Sequence, residues 1–395
     1  MLKYSCGGRK VENKGKVWKI VAICGAVLAL CAIIIGVIFA VSKRPQNKPQ
    51  QPVATTSSVQ ETEDVIPGVT GEVIEEPKDE LSCWNDLEAK KALVEYVENV
   101  TAPNSEDFIP FENRVAVFDM DGTLVCETDP YYFDHLLLVH RVLEDPDYKD
   151  KASDFEKDIA MKLQAKFNGE DVEVSMTEHG QAVASAFKGM TLDEFEEYVE
   201  DFRNQPAPGY EGMTRGQSFY LPMIQVVNYL QQNGFEVYIV SGTDRFIMRG
   251  LCEGMIEVPR DHLIGSDMSL VAEDQGDTDG LEYTFDDDDK LVLGGDFIIK
   301  DLNMNKVTVI AQEIGVQPVL SFGNSSGDAA MAEYATSNNP YKSLAFMICC
   351  DDTTRENGNV EKAEKMKAMC EEFGWIPVSM KDDWGTIYGE GVEKK

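Results

Sequence analysis

Positive charge is scarce in this sequence. The 36 lysines and arginines face 70 aspartates and glutamates, for a formal net charge of −34 over 395 residues. A nucleic-acid partner, which needs a basic footprint, is therefore excluded. Histidine is rarer still. The four present, His135, His140, His179 and His262, show no ligand spacing, and no role is expected of them. The nine cysteines form no paired CxxC or Cys/His pattern, so no zinc site is expected. Cys24, Cys31, Cys349 and Cys350 lie in or at the end of apolar runs and read as small buried hydrophobes, while Cys83 and Cys370 are left as a candidate pair. Apolar residues are not lacking. At 43% of the chain they support a full core, and the length suits one large domain or two modest ones.

Residues 1–19 are basic, with Lys3, Arg9, Lys10, Lys14, Lys16 and Lys19 against Glu12. Residues 20–41 then carry no charge, and at about 1.5 Å per residue they reach across a bilayer core of roughly 30 Å. Fewer basic residues follow, at Lys43, Arg44 and Lys48. The positive-inside rule thus predicts one transmembrane helix, a cytoplasmic N-terminus and an extracytoplasmic domain at the cell membrane. A cleaved secretory signal is the alternative. Residues 42–82 are rich in Pro, Gln, Thr, Ser, Val and Glu without a sustained period, and read as a disordered linker.

The folded domain is expected over 83–395. Leu87, Leu93, Val94 and Val97 predict a helix before a first strand at Val115–Phe118. Phe133, Leu136, Leu137 and His140, then Phe155, Ile159, Leu163 and Phe167, repeat at helical spacing, and Thr191-Leu-Asp-Glu194 is a capping box. About 90 residues of helix are too many for a simple crossover. They predict an all-helical cap at about 129–221, inserted into a core of 83–128 and 222–395. Strands and helices alternate from Met223 onward, with a late helix expected at Val360–Phe373, which predicts a mostly parallel sheet with helices on both faces.

The stretch Val115-Ala-Val-Phe-Asp-Met-Asp-Gly-Thr-Leu-Val125 organises the chain. A buried strand runs into a turn carrying Asp119 and Asp121. Two carboxylates delivered by a buried strand are costly unless a cation or a reaction needs them. Gly122 allows the sharp turn. Two later strands also end in polar or acidic residues, at Ser241-Gly242-Thr243 and at Asn324 and Asp328, with Lys306 between them. Ligands in open α/β sheets sit outside the carboxyl ends of the strands, so chemistry is expected where these ends meet.

Taken together and in this order, the motifs resemble those of the haloacid dehalogenase superfamily over roughly residues 108–388. The stretches Pro222–Thr243 and Phe187–Phe195 are similar to the phosphoserine-phosphatase type. The resemblance implies a Rossmann-like fold and a phosphomonoester hydrolase. Asp119 would be the nucleophile, Asp121 the general acid and base, and Lys306 the charge neutraliser, with Lys300 as the runner-up for that lysine. Ser241, Gly242 and Thr123 would bind phosphate, and Mg²⁺ would be held by Asp119, Asp121, Asn324 and Asp328. The second aspartate favours a phosphatase over a dehalogenase, since an alkyl halide leaves without a proton. Asn324 departs from the family pattern, which has aspartate there. That departure keeps open a catalytically weak or inactive surface-binding module; a phosphotransferase or dehalogenase is a further alternative. A site under a cap favours a small phosphorylated metabolite, such as a phospho-amino acid or a phosphocholine-like compound, as partner.

Weaker signals complete the reading. Gln275–Asp286 has part of a calcium-loop spacing, but the acidic loop 273–289 reads better as a solvated segment. Glu127 reads as a solvated or hinge residue rather than a substrate contact. Arg215 and Arg245 are candidates to join Lys306 in offsetting the negative field around an anionic substrate.

Overall fold

The computed structural model describes residues 80–128 and 131–395. A seven-stranded sheet runs through it: β1 Val115–Phe118, β2 Glu236–Asp244, β3 Leu263–Ala272, β4 Leu291–Ile299, β5 Leu320–Gly323, β6 Leu344–Cys349 and β7 Ile376–Ser379. The spatial order is β4-β3-β2-β1-β5-β6-β7. All pairings are parallel except β3 with β4, which form an antiparallel hairpin around the exposed acidic loop. The order grows away from β1 in both directions, so β1 and β5 flank the switch point where an α/β sheet opens a crevice.

Every residue of β1 is buried, because both faces of the sheet are covered. Ala116 and Phe118 enter a core with Leu93 and Val97 of α1 (Glu88–Thr101) and Val226 and Leu230 of α6 (Leu221–Gln232). Val115 and Val117 point the other way, into a second core with Val309 of α8 (Met304–Val309) and Met331 of α9 (Ala329–Thr336). This alternation in a continuous apolar run is what a parallel strand requires. A phenylalanine ladder fixes the register at the centre. Phe118, Phe322 and Phe346 are cross-strand partners. Their rings stack at 4.2 and 5.0 Å, tilted by 6° and 9°. The residues that follow the first two rungs are Asp119 and the pair Gly323-Asn324, so the ladder sets the height at which two acidic or polar strand ends emerge.

Among the described residues four α-helices lie between β1 and α6: α2 Phe133–Val139, α3 Asp154–Phe167, α4 Met176–Ala186 and α5 Leu192–Arg203; the short strand Tyr210–Glu211, paired with Glu393–Lys394, shows that the expected all-helical stretch is not wholly helical. Ser153 with Glu156 and Thr191 with Glu194 close capping boxes at α3 and α5. The helices belong to the same compact unit as the sheet. Gly250 of α7 (Arg245–Cys252) shows how close they come: a Cβ there would lie 2.7 Å from Val199 of α5. The expected helix at Val360–Phe373 is α10.

Two expectations are corrected. Cys83 and Cys370 are both free thiols, so the candidate pair is not formed. No helix among the described residues is long and apolar enough to cross a membrane. The membrane-anchored, extracytoplasmic placement is therefore withdrawn. The run at 20–41 on which it rested, the basic tail at 1–19 and nearly all of the linker lie outside the described residues.

Asp244 joins β2 to α7 and caps the helix, accepting from the amides of Phe246 (2.9 Å) and Ile247 (3.4 Å). Burial pushes its carboxyl up to about 7 against the pull of those two amides. A raised carboxyl stabilises fully below its unfolded value near 4, and that stability is lost as pH rises through about 7. Asp244→Asn keeps the capping oxygen and removes the charge. It is expected to match the wild type near pH 4 and to exceed it by roughly 2–4 kcal/mol at pH 8 in urea unfolding.

Candidate active site

Asp119 follows the last residue of β1, and its amide donates to the Phe322 carbonyl at 2.8 Å, extending the β1–β5 ladder by one rung. The chain then turns on Gly122, whose φ is +78°. A Cβ there would lie 1.8 Å from the Asn324 side chain and 2.7 Å from that of Glu127, so conformation and space both demand glycine. The amides of Thr123, Leu124 and Val125 all turn back to the Met120 carbonyl. This tight knot holds Asp119 and Asp121 at the switch point. On the neighbouring strand the β2–β3 register slips between Ser241 and Asp244, a bulge that re-aims side chains at the sheet edge.

Lys306 reaches in from α8 and is completely buried. Its ammonium lies 2.5 Å from Asp119 Oδ1 and 2.7 Å from Asp328 Oδ1. Thr123 donates to the other Asp119 oxygen at 3.2 Å. Asp328 Oδ2 accepts from the amides of Asn324 and Ser325 and from the Ser325 hydroxyl, at 3.0–3.1 Å. Both Asp328 oxygens are thus engaged in fixing Lys306 and the loop after β5. Asp121 differs. Thr243 donates to its Oδ2 at 2.7 Å and Ser241 at a longer 3.4 Å, while Oδ1 is buried with no hydrogen-bond partner.

The electrostatics follow from this asymmetry. Burial, with Asp328 adding repulsion, pushes the Asp119 carboxyl up to about 7 even though Lys306 pulls it down. Asp121 has no cation of its own, and burial together with Asp134 and Asp119 drives it well above the carboxylate range. Lys306 is held charged: burial opposes the ammonium, but Asp119 and Asp328 outweigh it. Fully ionised, the three buried carboxylates would carry two negative charges in excess of the one ammonium, a state their burial resists until a counter-charge is supplied. A divalent cation fits that deficit, and the unpartnered Asp121 Oδ1 is an oxygen the fold leaves without a proton donor. Asp119, Asp121 and Asn324 face the cavity as the available oxygen donors; Asp328, also at its wall, has its oxygens committed elsewhere.

The cavity beside these residues measures about 290 Å³. Ser241, Gly242 and Thr243 line one side. Glu127, Tyr131, Tyr132, Asp134, His135 and Lys166 line the helical side, with Lys300 and Leu302 between. Several expectations shift. Thr123 is fully buried and orients Asp119 instead of meeting a ligand. Lys300 is not the lysine at Asp119; it stands 3.6 Å from Asp134. Arg245 is taken up by Asp267 and Glu313. Arg215 lies over the Phe202 ring and lines a different cavity. The lysines that line the ligand cavity are Lys166 and Lys300. Glu127 is buried and paired with Lys362 at 3.0 Å, so the solvated reading fails. The sequence reading missed Thr243, the closer of the two hydroxyls on Asp121; its place in the Ser241-Gly242-Thr243 strand end was the available signal. It also missed Asp134, His135 and His179, which no spacing could join because α2 and α4 meet only in the fold.

Acidic strand ends gathered at the switch point of a parallel sheet, with a buried lysine between them, mark the candidate active site. The match to haloacid dehalogenase-like hydrolases spans residues 116–333, more than half of the chain, and the chain belongs to that family. No curated protein sequence matches it. Among solved structures, a conserved protein of unknown function from Anaerococcus prevotii is 14% identical with a TM-score of 0.44, covering 74% of this chain and 91% of that one. Cytosolic 5′-nucleotidase IIIB bound to cytidine is 12% identical with a TM-score of 0.43, covering 74% and 85%. A phosphoserine phosphohydrolase-like protein from Francisella tularensis is 16% identical with a TM-score of 0.34, covering 64% and 92%.

Removing Lys306 strands two buried carboxylates. Lys306→Met is expected to lower stability at pH 8 by about 3–5 kcal/mol in denaturant unfolding, because each stranded charge must be protonated or left unpaired.

Proposed function

We propose that this chain is a Mg²⁺-dependent phosphomonoester hydrolase that works through an aspartyl-phosphate at Asp119. The observation that carries the reading is the unequal treatment of two adjacent buried carboxylates. Asp119 has an ammonium at 2.5 Å, which favours the ionised, nucleophilic form. Asp121 has hydroxyl donors on one oxygen and an unpartnered second oxygen, and it lines the cavity, which suits a proton donor. Pairs of titratable groups pushed apart in this way take the acid and nucleophile roles.

In the first step an Asp119 oxygen attacks phosphorus and the bond to the leaving oxygen breaks. Asp121 gives that oxygen its proton, and the alcohol departs. In the second step Asp121, now ionised, takes a proton from a water that attacks the same phosphorus. The acyl-phosphate bond breaks, inorganic phosphate leaves and Asp119 is restored. Lys306 stays charged throughout and offsets the charge on Asp119 and the transferring group. Ser241 and the Gly242 amide bind phosphate oxygens at the cavity edge. Mg²⁺ would be held by Asp119, Asn324 and the Asp121 region, and would supply charge neutralisation of the phosphoryl oxygens.

A cavity of about 290 Å³ lies at the small end of ligand pockets, which favours a phosphorylated metabolite over a protein. The helices α2–α5 would act as the cap that selects the leaving group and excludes water.

The two steps can be separated by choice of substrate. An aryl phosphate has a leaving group that departs without a proton, whereas an alkyl phosphate does not. Asp121→Asn is expected to lose about 10²–10⁴-fold in turnover of alkyl phosphates. With p-nitrophenyl phosphate it should release one equivalent of phenol in a burst and then stall, since the second step lacks its base. Asp119→Asn should give no burst. Equal slow turnover of both substrates by Asp121→Asn, without a burst, would contradict the assignment.

A further inference from the structure

The helical wall of the cavity holds a group of side chains that the proposed reaction does not use. Asp134 and His135 are neighbours on α2, and His179 comes from α4. All three are buried, His179 completely. One donor atom from each can be chosen so that the three lie within 4.8 Å of one another. The imidazoles meet edge to face at 4.4 Å between centroids. His135 Nδ1 and His179 Nε2 are buried and have no hydrogen-bond partner. His179 Nε2 lies 3.8 Å from Asp134 Oδ2, and His135 Nε2 lies 3.9 Å from Asp134 Oδ1, too far for hydrogen bonds but suited to a shared third atom. An unsatisfied buried imidazole nitrogen costs about 1–3 kcal/mol, and each ring of this pair carries one.

We propose that Asp134, His135 and His179 form a second divalent-cation site, selective for zinc-class transition metals, in the wall of the ligand cavity. The donor set is one carboxylate and two imidazoles, which suits Zn²⁺, Fe²⁺ or Co²⁺ and disfavours Mg²⁺. Ligands about 2.0–2.2 Å from a tetrahedral ion stand roughly 3.3–3.6 Å apart, so closing the site needs shifts of about an ångström. Three protein ligands leave a fourth position open. Asp134 and His135 line the same cavity as Asp119 and Asp121, which puts two of the three ligands beside the acidic strand ends. The protonation states suit the role. Burial pushes His135 down to about 4 and His179 well below its usual range, so both offer neutral lone pairs.

Lys300 is the built-in competitor. Its ammonium lies 3.6 Å from Asp134 Oδ2 and 3.3 Å from His179 Nδ1. An ion bound at the Nε2 side of His179 would leave a proton on Nδ1 facing that ammonium, so Lys300 must swing away, and the cavity it lines gives it room. The inference does not rest on the phosphatase reading, because the ligands are distinct from the acidic strand ends.

The test is Zn²⁺ and Co²⁺ titration of the full chain carrying Asp119→Asn, in excess Mg²⁺ so that the strand ends are not the site measured. One equivalent of Zn²⁺ by calorimetry is expected, with a Co²⁺ d–d spectrum of four- or five-coordinate intensity. His179→Gln and His135→Gln should each weaken binding at least 100-fold and abolish that spectrum. Should either variant fail to fold, Lys300→Met decides: loss of the competing cation should tighten Zn²⁺ at least tenfold. No stoichiometric Zn²⁺, binding unchanged in the histidine variants, or no tightening in Lys300→Met would each overturn the proposal.

Discussion

The ammonium of Lys306, wedged between Asp119 and Asp328 where no solvent reaches, is the interaction on which the site depends. A buried charge pair is weak support for stability as such, since desolvation takes back much of the attraction. Its value here is positional. Asp328 anchors Lys306 with one oxygen and the loop Asn324–Ser325 with the other, so the end of β5 and the start of α8 are tied to a single carboxylate. Asp119 then meets a cation whose place is already fixed. Asp121, two residues on, meets none. One strand therefore delivers two carboxylates into different electrostatic surroundings, and the proposed division of labour follows from that difference rather than from residue type.

The frame around this contact is assembled from apolar physics. The stacked rings of Phe118, Phe322 and Phe346 hold three strands in register, and on β1 and β5 the polar ends begin one or two residues later. A slip of one residue would turn Phe118 to the opposite face and displace Asp119 with it. Gly122 completes the frame, because its empty Cβ position is filled by the side chains of Asn324 and Glu127. The turn after β1 and the loop after β5 are thus interlocked. Asn324 stands where the family resemblance implies aspartate. Once ionised, Asp119, Asp121 and Asp328 would exceed Lys306 by the two charges of one divalent cation, so in the proposed metal site an amide oxygen would add a ligand without adding a third charge.

Much of this was legible in the sequence for physical reasons. The apolar run Val115–Phe118 could only be a doubly buried strand, and the alternation of strands and helices after Met223 gave the parallel sheet. Val360–Phe373 was read to the residue because its apolar period and the following glycine mark both ends. The acidic strand ends were visible because a strand that buries carboxylates must have a use for them. What sequence could not supply was contact across the fold. Lys300 and Lys306 differ by less than two helical turns, and only the path of α8 decides which one meets Asp119. Arg215 and Arg245 looked available until their partners, an aromatic ring and two carboxylates, were in place. Glu127 looked solvated until Lys362 closed over it. Asp134 and His135 lie on one helix and His179 on another, and no periodicity encodes their meeting. The apolar run at 20–41 matched a membrane span by length and hydropathy alone, and no described helix bears that reading out.

The central claim is that Asp119, and no other residue, carries the phosphoryl group in transit. Acid quenching of the enzyme during turnover, followed by peptide mass mapping, tests it directly. The account predicts an acid-stable, alkali-labile phosphoryl adduct on the peptide containing Val115–Val125, with fragmentation placing it on Asp119. A phosphoryl group on a histidine, a serine or another aspartate, or turnover with no phosphorylated peptide under conditions that trap known acyl-phosphates, would contradict it.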